Sequence, residues 1–213
     1  MSVAIEDDTE IDALMKQVTA KKPDLVEFRL EKLHERTQLE EIARKKSFPI
    51  IATDRSDRDQ QKKREQLYYA AALGFDLIDL EVATADVATV KSMKSEGAEI
   101  VLSFHDYSQT PSTDDLAKIL KAEKKLGGDI YKLVTTAQLP HDNLTILRFV
   151  ENEAAKARVV SFAMGSQGVP SRILSPLFGA EFTFASLEEN LKTAEGQLSI
   201  DELRSAWQIL GLQ

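Results

Sequence analysis

Short runs of β-branched and aromatic residues alternate along the chain with longer stretches whose apolar residues recur at helical spacing. The short runs predict strands and the longer stretches predict amphipathic helices. Successive strands start roughly every 22–30 residues, which is the length of one strand-plus-helix unit. The predicted strands cover residues 3–5, 25–30, 49–53, 77–82, 100–105, 130–135, 159–164 and 181–184.

Strands that alternate with helices predict a parallel sheet covered by helices. Eight such units in a chain of 213 residues favour a closed (β/α)8 TIM barrel without large insertions. A doubly wound open sheet is the alternative, but no G-x-G-x-x-G motif follows an early strand. Because no linker or low-complexity segment interrupts the pattern, residues 1–213 are expected to form one domain.

The composition narrows the class of protein. A formal net charge of −8 argues against a nucleic-acid-binding surface, and the basic residues are scattered along the chain. No apolar stretch approaches the ~20 residues that span a bilayer, and the first residues turn acidic at Glu6, unlike a signal peptide. The sequence contains no cysteine, which excludes disulfides and thiolate chemistry and fits a reducing compartment. We therefore expect a cytoplasmic protein that binds neither nucleic acid nor membrane.

Lys132 lies in the middle of the apolar run IYKLV at residues 130–134. A lysine on a buried strand loses much of its hydration, which disfavours the ammonium form. A neutral amine can attack a ketone or aldehyde and form a Schiff base. The alternative is a lysine whose stem packs against apolar surface while its head reaches water.

Other polar residues occupy the ends of predicted strands. In a barrel of parallel strands, functional residues lie at the C-terminal ends of the strands and in the loops that follow. Glu27 and Arg29 are two residues apart and share a face, and His105 ends the strand before the one that carries Lys132. A structural ion pair and a hydrogen-bonded strand-end histidine are the alternatives. The same rule places at this end Asp54, Arg55, Asp79 and Glu81.

Gly165 and Gly168 follow the seventh predicted strand, near which barrel enzymes often bind phosphate. The alternative is a turn into a helix begun by Pro170. Arg172 lies in the first turn of that helix, and its planar guanidinium matches a carboxylate as well as a phosphate. The residues alone leave the choice between these anions open.

In this order, the segments resemble type I 3-dehydroquinate dehydratase, a Schiff-base enzyme of the shikimate pathway in aromatic amino acid biosynthesis. That family has an E-x-R motif on strand two, a catalytic histidine after strand five, an imine-forming lysine on strand six, an arginine after strand seven and a lid glutamine after strand eight. The matching segments are Glu27-Phe28-Arg29-Leu30, Ser103-Phe104-His105-Asp106-Tyr107 with Thr110-Pro111, Asp129-Ile130-Tyr131-Lys132-Leu133, Met164-Gly165 with Gly168, Ser171 and Arg172, and Phe182-Thr183-Phe184 with Gly196-Gln197.

The resemblance implies a lyase that acts on a small molecule. Lys132 would form an imine with the C3 ketone of 3-dehydroquinate. His105 would remove a C2 proton and donate a proton to the departing C1 hydroxyl, and hydrolysis of the imine would release 3-dehydroshikimate. The family uses no metal or organic cofactor and often forms homodimers, so we expect a homodimer without either group.

The resemblance also implies the substrate-binding residues. Arg172 would hold the substrate carboxylate, and Gln197 would close over the ring from the loop after strand eight. The other binding positions, which would order hydroxyl groups or supply apolar wall, are Glu27, Arg29, Arg55, Met164, Phe184 and Thr193.

The chain departs from the family pattern at the residue that orients the histidine. The family has a glutamate four residues after the arginine that matches Arg55, and this chain has Asp59, which is one methylene shorter. Asp59 is therefore expected to orient His105, with a place on a solvated helix as the alternative. In the lid, Thr193 replaces a serine and Glu195 replaces a proline.

Two other functions fit parts of the same pattern. A Schiff-base aldolase would use Lys132 on a phosphorylated sugar and would bind the phosphate at Gly165 and Gly168. A catalytically silent barrel that serves as a binding module would keep the fold without turnover.

Overall fold

The computed structural model of the chain describes residues 1–211. Within them, seven parallel strands form one curled sheet in which each strand pairs with its neighbour in the chain. The strands are β1 (Ser2–Glu6), β2 (Val26–Lys32), β3 (Ile50–Thr53), β4 (Leu77–Glu81), β5 (Glu99–His105), β6 (Ile130–Thr136) and β7 (Val159–Met164). The helices are α1 (Ile11–Ala20), α2 (Thr37–Lys45), α3 (Gln60–Ala72), α4 (Val87–Ser95), α5 (Thr113–Glu123), α6 (Asp142–Ala154), α7 (Val169–Leu174) and α8 (Ile200–Ile209).

The predicted fold class is confirmed, since the chain forms a single-domain parallel α/β fold of the TIM-barrel type. The predicted strand at residues 181–184 is wrong, because this segment is not a strand in the structure. Backbone hydrogen bonds tie it to the strands on either side, from Glu181 N to Val159 O at 2.8 Å and from Ser2 N to Ala185 O at 2.7 Å. The segment therefore occupies the place of an eighth strand, with regular pairing only at its ends.

Side chains from α7 contact the middle of this segment. The Arg172 guanidinium lies 3.5 Å from the carbonyl oxygen of Phe184, and the Thr183 hydroxyl donates to the carbonyl oxygen of Arg172 at 2.8 Å. These contacts replace part of the regular backbone ladder, and they bring Arg172 into the interior of the barrel.

Two apolar layers fill the fold. The larger one lies between the sheet and the helices, and a smaller one fills the interior of the barrel. Along β6, Ile130 and Val134 belong to the inner layer, and Lys132 points the same way because side chains alternate across a strand. The candidate catalytic side chains on the strands thus project into the barrel interior. This interior is apolar in the inner layer and polar at the C-terminal ends of the strands.

Side-chain caps define the beginnings of several helices. Ser199 begins α8 in a capping box with Glu202, and Asp59 caps α3. None of the helices within residues 1–211 combines the length and apolar character needed to cross a membrane.

Candidate active site

One cavity collects the predicted site residues at the C-terminal ends of the strands. Its volume is about 60 Å³, and every predicted catalytic or binding residue except Arg55 and Asp59 lines it. Parallel pairing explains the convergence, because the register sets Lys132 of β6 opposite Ser103 of β5, two residues before His105. Residues far apart in sequence therefore meet at one end of the barrel.

Lys132 is almost completely enclosed, with 5% of its surface exposed. Its Nζ atom lies 3.0 Å from Oδ2 of Asp79 and 3.7 Å from Oε1 of Glu27. The same atom lies 4.3 Å from the centre of the Phe184 ring, which is a cation–π distance. The amine is thus buried against an aromatic face but has two carboxylate partners.

Asp79 connects the lysine to an arginine. Its Oδ1 atom accepts hydrogen bonds from Nη2 of Arg55 and from the Ser103 hydroxyl, and its Oδ2 atom faces Lys132. Burial alone would raise the pKa of Asp79, but the charges of Arg55 and Lys132 outweigh burial and hold the pKa far below its usual value. Asp79 is therefore a permanent anion between two cations.

Glu27 forms the other wall behind Lys132. Its carboxylate accepts hydrogen bonds from the Ser2 hydroxyl at 2.5 Å and from the Thr53 hydroxyl at 2.8 Å. Burial opposes ionisation, but Lys132 and Arg29 outweigh it and lower the pKa of Glu27. Because hydroxyl donors and cations satisfy both oxygens, the carboxylate can remain charged in a buried place.

His105 is held by a carboxylate from the neighbouring strand. Its Nδ1 atom lies 3.2 Å from Oε1 of Glu81, and its ring stacks on Tyr107 with 5.8 Å between centroids. Burial lowers the pKa of His105, with the Glu81 hydrogen bond acting in the opposite direction. A lowered pKa leaves the imidazole neutral near pH 7, as a general base requires.

The expectation that Asp59 orients His105 is not met in this structure. Asp59 precedes α3 as an exposed N-cap, and its Oδ1 atom accepts from the backbone N–H groups of Gln61 at 2.9 Å and Lys62 at 3.2 Å. The carboxylate beside His105 belongs to Glu81. Asp59 instead caps α3, because a side-chain oxygen near the start of a helix accepts hydrogen bonds from the free backbone N–H groups there.

Arg172 is a buried cation whose charge is only partly satisfied. It is 1% exposed, and its guanidinium stacks on Phe162 at 4.2 Å from the ring centre. Among the described residues, its Nε and Nη2 atoms have no hydrogen-bond partner. Burial lowers the pKa of Arg172 to about 10, which still leaves it charged near pH 7. Such a group is suited to bind an anion that enters the cavity.

The backbone amides of the loop that follows β7 form hydrogen bonds within the protein. The N–H of Gly168 donates to Gly165 O at 3.0 Å, and the N–H of Gly165 donates to Glu195 O at 3.4 Å. The side chain of Asn143 donates to Gln167 O at 2.7 Å. Because the glycine amides that a phosphate would need already have partners, the geometry favours a turn over the phosphate-binding alternative.

A lid covers the cavity from residues 193–197. Gln197 is buried, and its Oε1 atom accepts hydrogen bonds from Thr193 N at 2.7 Å and from the Thr193 hydroxyl at 3.1 Å. The oxygen of the same hydroxyl lies 3.2 Å from the Ser2 hydroxyl oxygen. Gly196 has a φ of +71°, and a Cβ there would lie 2.3 Å from Gly165 O. The lid can therefore pack closely on the β7 loop only with glycine at this position.

The remaining predicted binding residues have distinct surroundings. Arg29 Nε donates to Glu31 at 2.8 Å, and Arg55 Nε lies 3.1 Å from Oε2 of Glu81. Met164 is a half-buried wall residue of the cavity. In this structure Arg55 contacts the carboxylates behind the cavity, and its role in supporting the substrate-binding groups stays a prediction.

Comparisons with known proteins identify the family of this chain. The family model of type I 3-dehydroquinase matches residues 1–213. The chain belongs to the type I 3-dehydroquinase family. A 3-dehydroquinate dehydratase from Dehalococcoides mccartyi is 33% identical over 73% of this chain and 72% of the relative. One from Methanosarcina barkeri is 30% identical over 99% of this chain and 93% of the relative.

The fold is also that of a solved 3-dehydroquinate dehydratase. The crystal structure of 3-dehydroquinate dehydratase from Geobacillus kaustophilus aligns with a TM-score of 0.90 at 25% identity, over 99% of this chain and 89% of that chain. Asp79 and Glu81 lie in the charged network behind the cavity without a predicted role. Their spacing of two residues on β4 was the available signal, because it puts both side chains on the same face.

Proposed function

We propose that this chain dehydrates 3-dehydroquinate to 3-dehydroshikimate through a Schiff base on Lys132, as a lyase of the shikimate pathway. One observation carries the proposal: Lys132, His105 and the partly unsatisfied Arg172 line the same cavity. These are the nucleophile, the base and the anion-binding group that the reaction needs. The names of the curated relatives support the substrate.

Arg172 binds the carboxylate of the substrate. Its buried Nε and Nη2 atoms are the donors without partners, and this edge of a guanidinium matches a carboxylate through two parallel hydrogen bonds. The stacking on Phe162 holds the guanidinium plane in place. A bound carboxylate also neutralises a buried charge, so the binding energy comes from a group that is unsatisfied in the free protein.

Lys132 attacks the C3 ketone of the bound substrate. The Lys132 ammonium first passes a proton to the neutral imidazole of His105, and the free amine then adds to the carbonyl carbon. The imidazolium returns this proton to the carbinolamine hydroxyl, which leaves as water to give an iminium. Asp79 and Glu27 stabilise that positive charge, because both carboxylates face Nζ. The iminium withdraws electrons from C2 and makes its proton acidic.

His105 transfers the protons. The neutral imidazole accepts a C2 proton, and the electron pair left behind flows into the iminium to form an enamine. The resulting imidazolium donates a proton to the C1 hydroxyl, which leaves as water when the C1–C2 double bond forms. Hydrolysis of the imine then frees Lys132 and releases the product.

The lid has to open before substrate can enter. The cavity of about 60 Å³ is far smaller than the ~300 Å³ lower range of small-molecule pockets. Movement of residues 193–197 would enlarge it, and closure would exclude water from the imine. Thr193 and Gln197 therefore control access and complete the wall around the substrate.

The aldolase alternative has less support. It needs a phosphate site, and the amides of Gly165 and Gly168 are engaged within the protein. Arg172 alone suits a carboxylate, and it lies beside the lysine in the same cavity. A silent barrel that only binds would have no need to keep both Lys132 and His105, and both line the cavity. The homodimer and the cytoplasmic location expected from the sequence stay predictions.

The test is borohydride trapping with 3-dehydroquinate, followed by peptide mass spectrometry. Reduction should attach the substrate to Lys132 and inactivate the protein, whereas Lys132→Ala should give no adduct. Lys118→Ala is the matched control, because Lys118 is an exposed lysine on α5. Folded protein that forms neither adduct nor 3-dehydroshikimate would refute the proposal, and cleavage of a phosphorylated sugar would favour the aldolase.

A further inference from the structure

An unbroken chain of charged contacts links the two groups proposed to carry out the chemistry. His105 Nδ1 lies 3.2 Å from Oε1 of Glu81, and Oε2 of Glu81 lies 3.1 Å from Arg55 Nε. Arg55 Nη2 contacts Oδ1 of Asp79, whose Oδ2 lies 3.0 Å from Lys132 Nζ. Arg55 is thus the centre of a bridge between the histidine and the lysine.

We propose that Glu81 is the residue that positions His105 in this chain, and that Arg55 fixes Glu81 for this task while Asp79 extends the same bridge to Lys132. The inference deepens the proposed function and rests on it for the role of His105. It gives Glu81 the role that the family resemblance assigned to Asp59. Glu81 is a positioning residue, since it acts through the histidine.

The carboxylate of Glu81 selects one tautomer of the imidazole. An ionised carboxylate can only accept, so the nitrogen that faces it has to carry a hydrogen. Nδ1 then donates to Glu81, and Nε2 keeps the lone pair that accepts a proton from substrate. The pKa of Glu81 is lowered, with burial opposed by His105 and Arg55, so the carboxylate is charged near pH 7.

Arg55 holds Glu81 in this orientation. Arg55 follows β3 and has 12% of its side chain exposed. Its Nη2 atom donates to Asp79 and to the Ser103 hydroxyl. Its Nε lies 3.1 Å from Oε2 of Glu81 in an ion pair, and Oε1 of Glu81 faces the histidine. The two oxygens of Glu81 therefore have different and fixed partners.

The charges around His105 come from several elements. Glu81 of β4 raises the pKa of His105, whereas burial, Lys132 of β6 and Arg55 after β3 lower it. Tyr107 covers one face of the ring from the loop after β5, and it is 69% exposed. Loss of the Glu81 carboxylate should therefore shift the His105 titration to lower pH.

A glutamine at position 81 would invert the tautomer. The positive charge of Arg55 attracts oxygen and repels an amide N–H, so the amide oxygen of Glu81→Gln would face Arg55. The amide nitrogen would then face the imidazole. Nδ1 would then have to accept, and the hydrogen would move to Nε2. The nitrogen that should remove the substrate proton would lose its lone pair.

The experiment is nitrogen-15 NMR of histidine-labelled protein without substrate. The chain has only three histidines, and the exposed His34 and His141 act as internal references. We expect Nδ1 of His105 to carry the hydrogen in the wild type, and Glu81→Gln to shift the hydrogen to Nε2. Asp59→Asn is the matched control, because asparagine keeps the N-cap oxygen while losing the charge.

Steady-state kinetics provide a second test of the role of Glu81. Glu81→Gln should lower kcat by about 10²- to 10⁴-fold, the range for a misoriented or mistautomerised base, and leave KM within about threefold because Arg172 is unchanged. Asp59→Asn should change kcat by less than about twofold. Glu81→Asp keeps an acceptor and should recover part of kcat, and it serves as the test variant if Glu81→Gln does not fold.

Two results would overturn the inference: an unchanged His105 spectrum in Glu81→Gln, or a loss of kcat in Asp59→Asn equal to that of Glu81→Gln. If the wild type turned over no 3-dehydroquinate, the proposed function would fail, but the spectra would still decide which carboxylate orients His105.

Discussion

The guanidinium of Arg172 stacks on the ring of Phe162 at 4.2 Å, while its Nε and Nη2 atoms meet no acceptor among the described residues. A buried cation with unused donors opposes folding. It also provides a site for an anion of matching shape. Stability and binding are therefore expected to change in opposite directions when this arginine is removed.

The first prediction concerns Arg172→Met. Loss of the carboxylate partner should weaken substrate binding by about 2–5 kcal/mol, seen as a rise in KM, while the free energy of unfolding stays equal or increases. Urea denaturation and steady-state kinetics measure the two effects. Arg158→Met, which removes an exposed arginine from ion pairs with Glu99 and Glu181, should leave KM unchanged. A destabilised Arg172→Met protein with normal KM would contradict the assignment.

The second prediction concerns Asp79→Asn. This change leaves Lys132 and Arg55 without their shared anion, and breaking a buried ion pair costs about 3–5 kcal/mol of unfolding free energy. Because folding lowers the pKa of Asp79, its contribution is present above the unfolded pKa near 4 and is lost as pH falls. Wild type should therefore lose stability more steeply than Asp79→Asn below about pH 4.

Urea denaturation at pH 7 and pH 3 checks this difference. Asp12→Asn is the control, because Asp12 forms an ion pair with Lys45 at the exposed surface. That variant should behave like the wild type at pH 7. Equal stabilities of Asp79→Asn and wild type at pH 7 would show that the bridge contributes nothing to folding.

The third prediction concerns Glu123 at the end of α5. Its side chain is fully buried, both carboxylate oxygens lack a partner among the described residues, and burial raises its pKa to about 9, aided by the charges of Glu81 and Asp79. Folding therefore raises this pKa above its unfolded value. A raised carboxyl pKa means that the folded protein binds an extra proton, so stability falls between about pH 4.5 and pH 9.

The slope from Glu123 can reach about 1.4 kcal/mol per pH unit. Glu123→Met should remove it and raise the free energy of unfolding at pH 8, because an unbranched apolar side chain of similar length replaces an unsatisfied carboxyl. Urea denaturation at pH 5, 7 and 8.5 measures the slope. Glu65→Gln, at the exposed surface of α3, should leave it unchanged. A Glu123→Met slope equal to that of the wild type would refute this account.

The fourth prediction concerns the lid glycine. Gly196→Ala would place a Cβ 2.3 Å from Gly165 O, so the lid could not pack on the β7 loop. We expect kcat/KM to fall by at least about tenfold, because closure excludes water and completes the site. Gly74→Ala shares a positive φ of +87° but has no atom within 4 Å of the new Cβ. It tests backbone strain alone and should keep normal kcat/KM; equal losses in both variants would remove the lid explanation.

The sequence indicated the larger part of this molecule. Alternating strand and helix patterns predicted the barrel. Parallel strands are buried on both faces and therefore appear as continuous apolar runs, and amphipathic helices separate these runs along the sequence. Lys132 stood out since a charge inside such a run is costly. The eighth strand was predicted wrongly, because strand propensity carries no trace of the contacts between this segment and α7. There the Arg172 guanidinium lies against Phe184 O, and the Thr183 hydroxyl donates to Arg172 O.

The carboxylate that orients His105 could not be predicted from the sequence. The family resemblance pointed to Asp59, whereas the structure puts Glu81 of β4 against His105 of β5. Pairing between strands brings Glu81 and His105 together across 24 positions of sequence, and Asp59 caps α3 instead. The sequence by itself determined which residues can do chemistry and at which end of the barrel they gather, because strand direction and side-chain alternation are local. Only the tertiary structure decided which charges meet, because ion pairs depend on ångström distances between elements that no local pattern encodes.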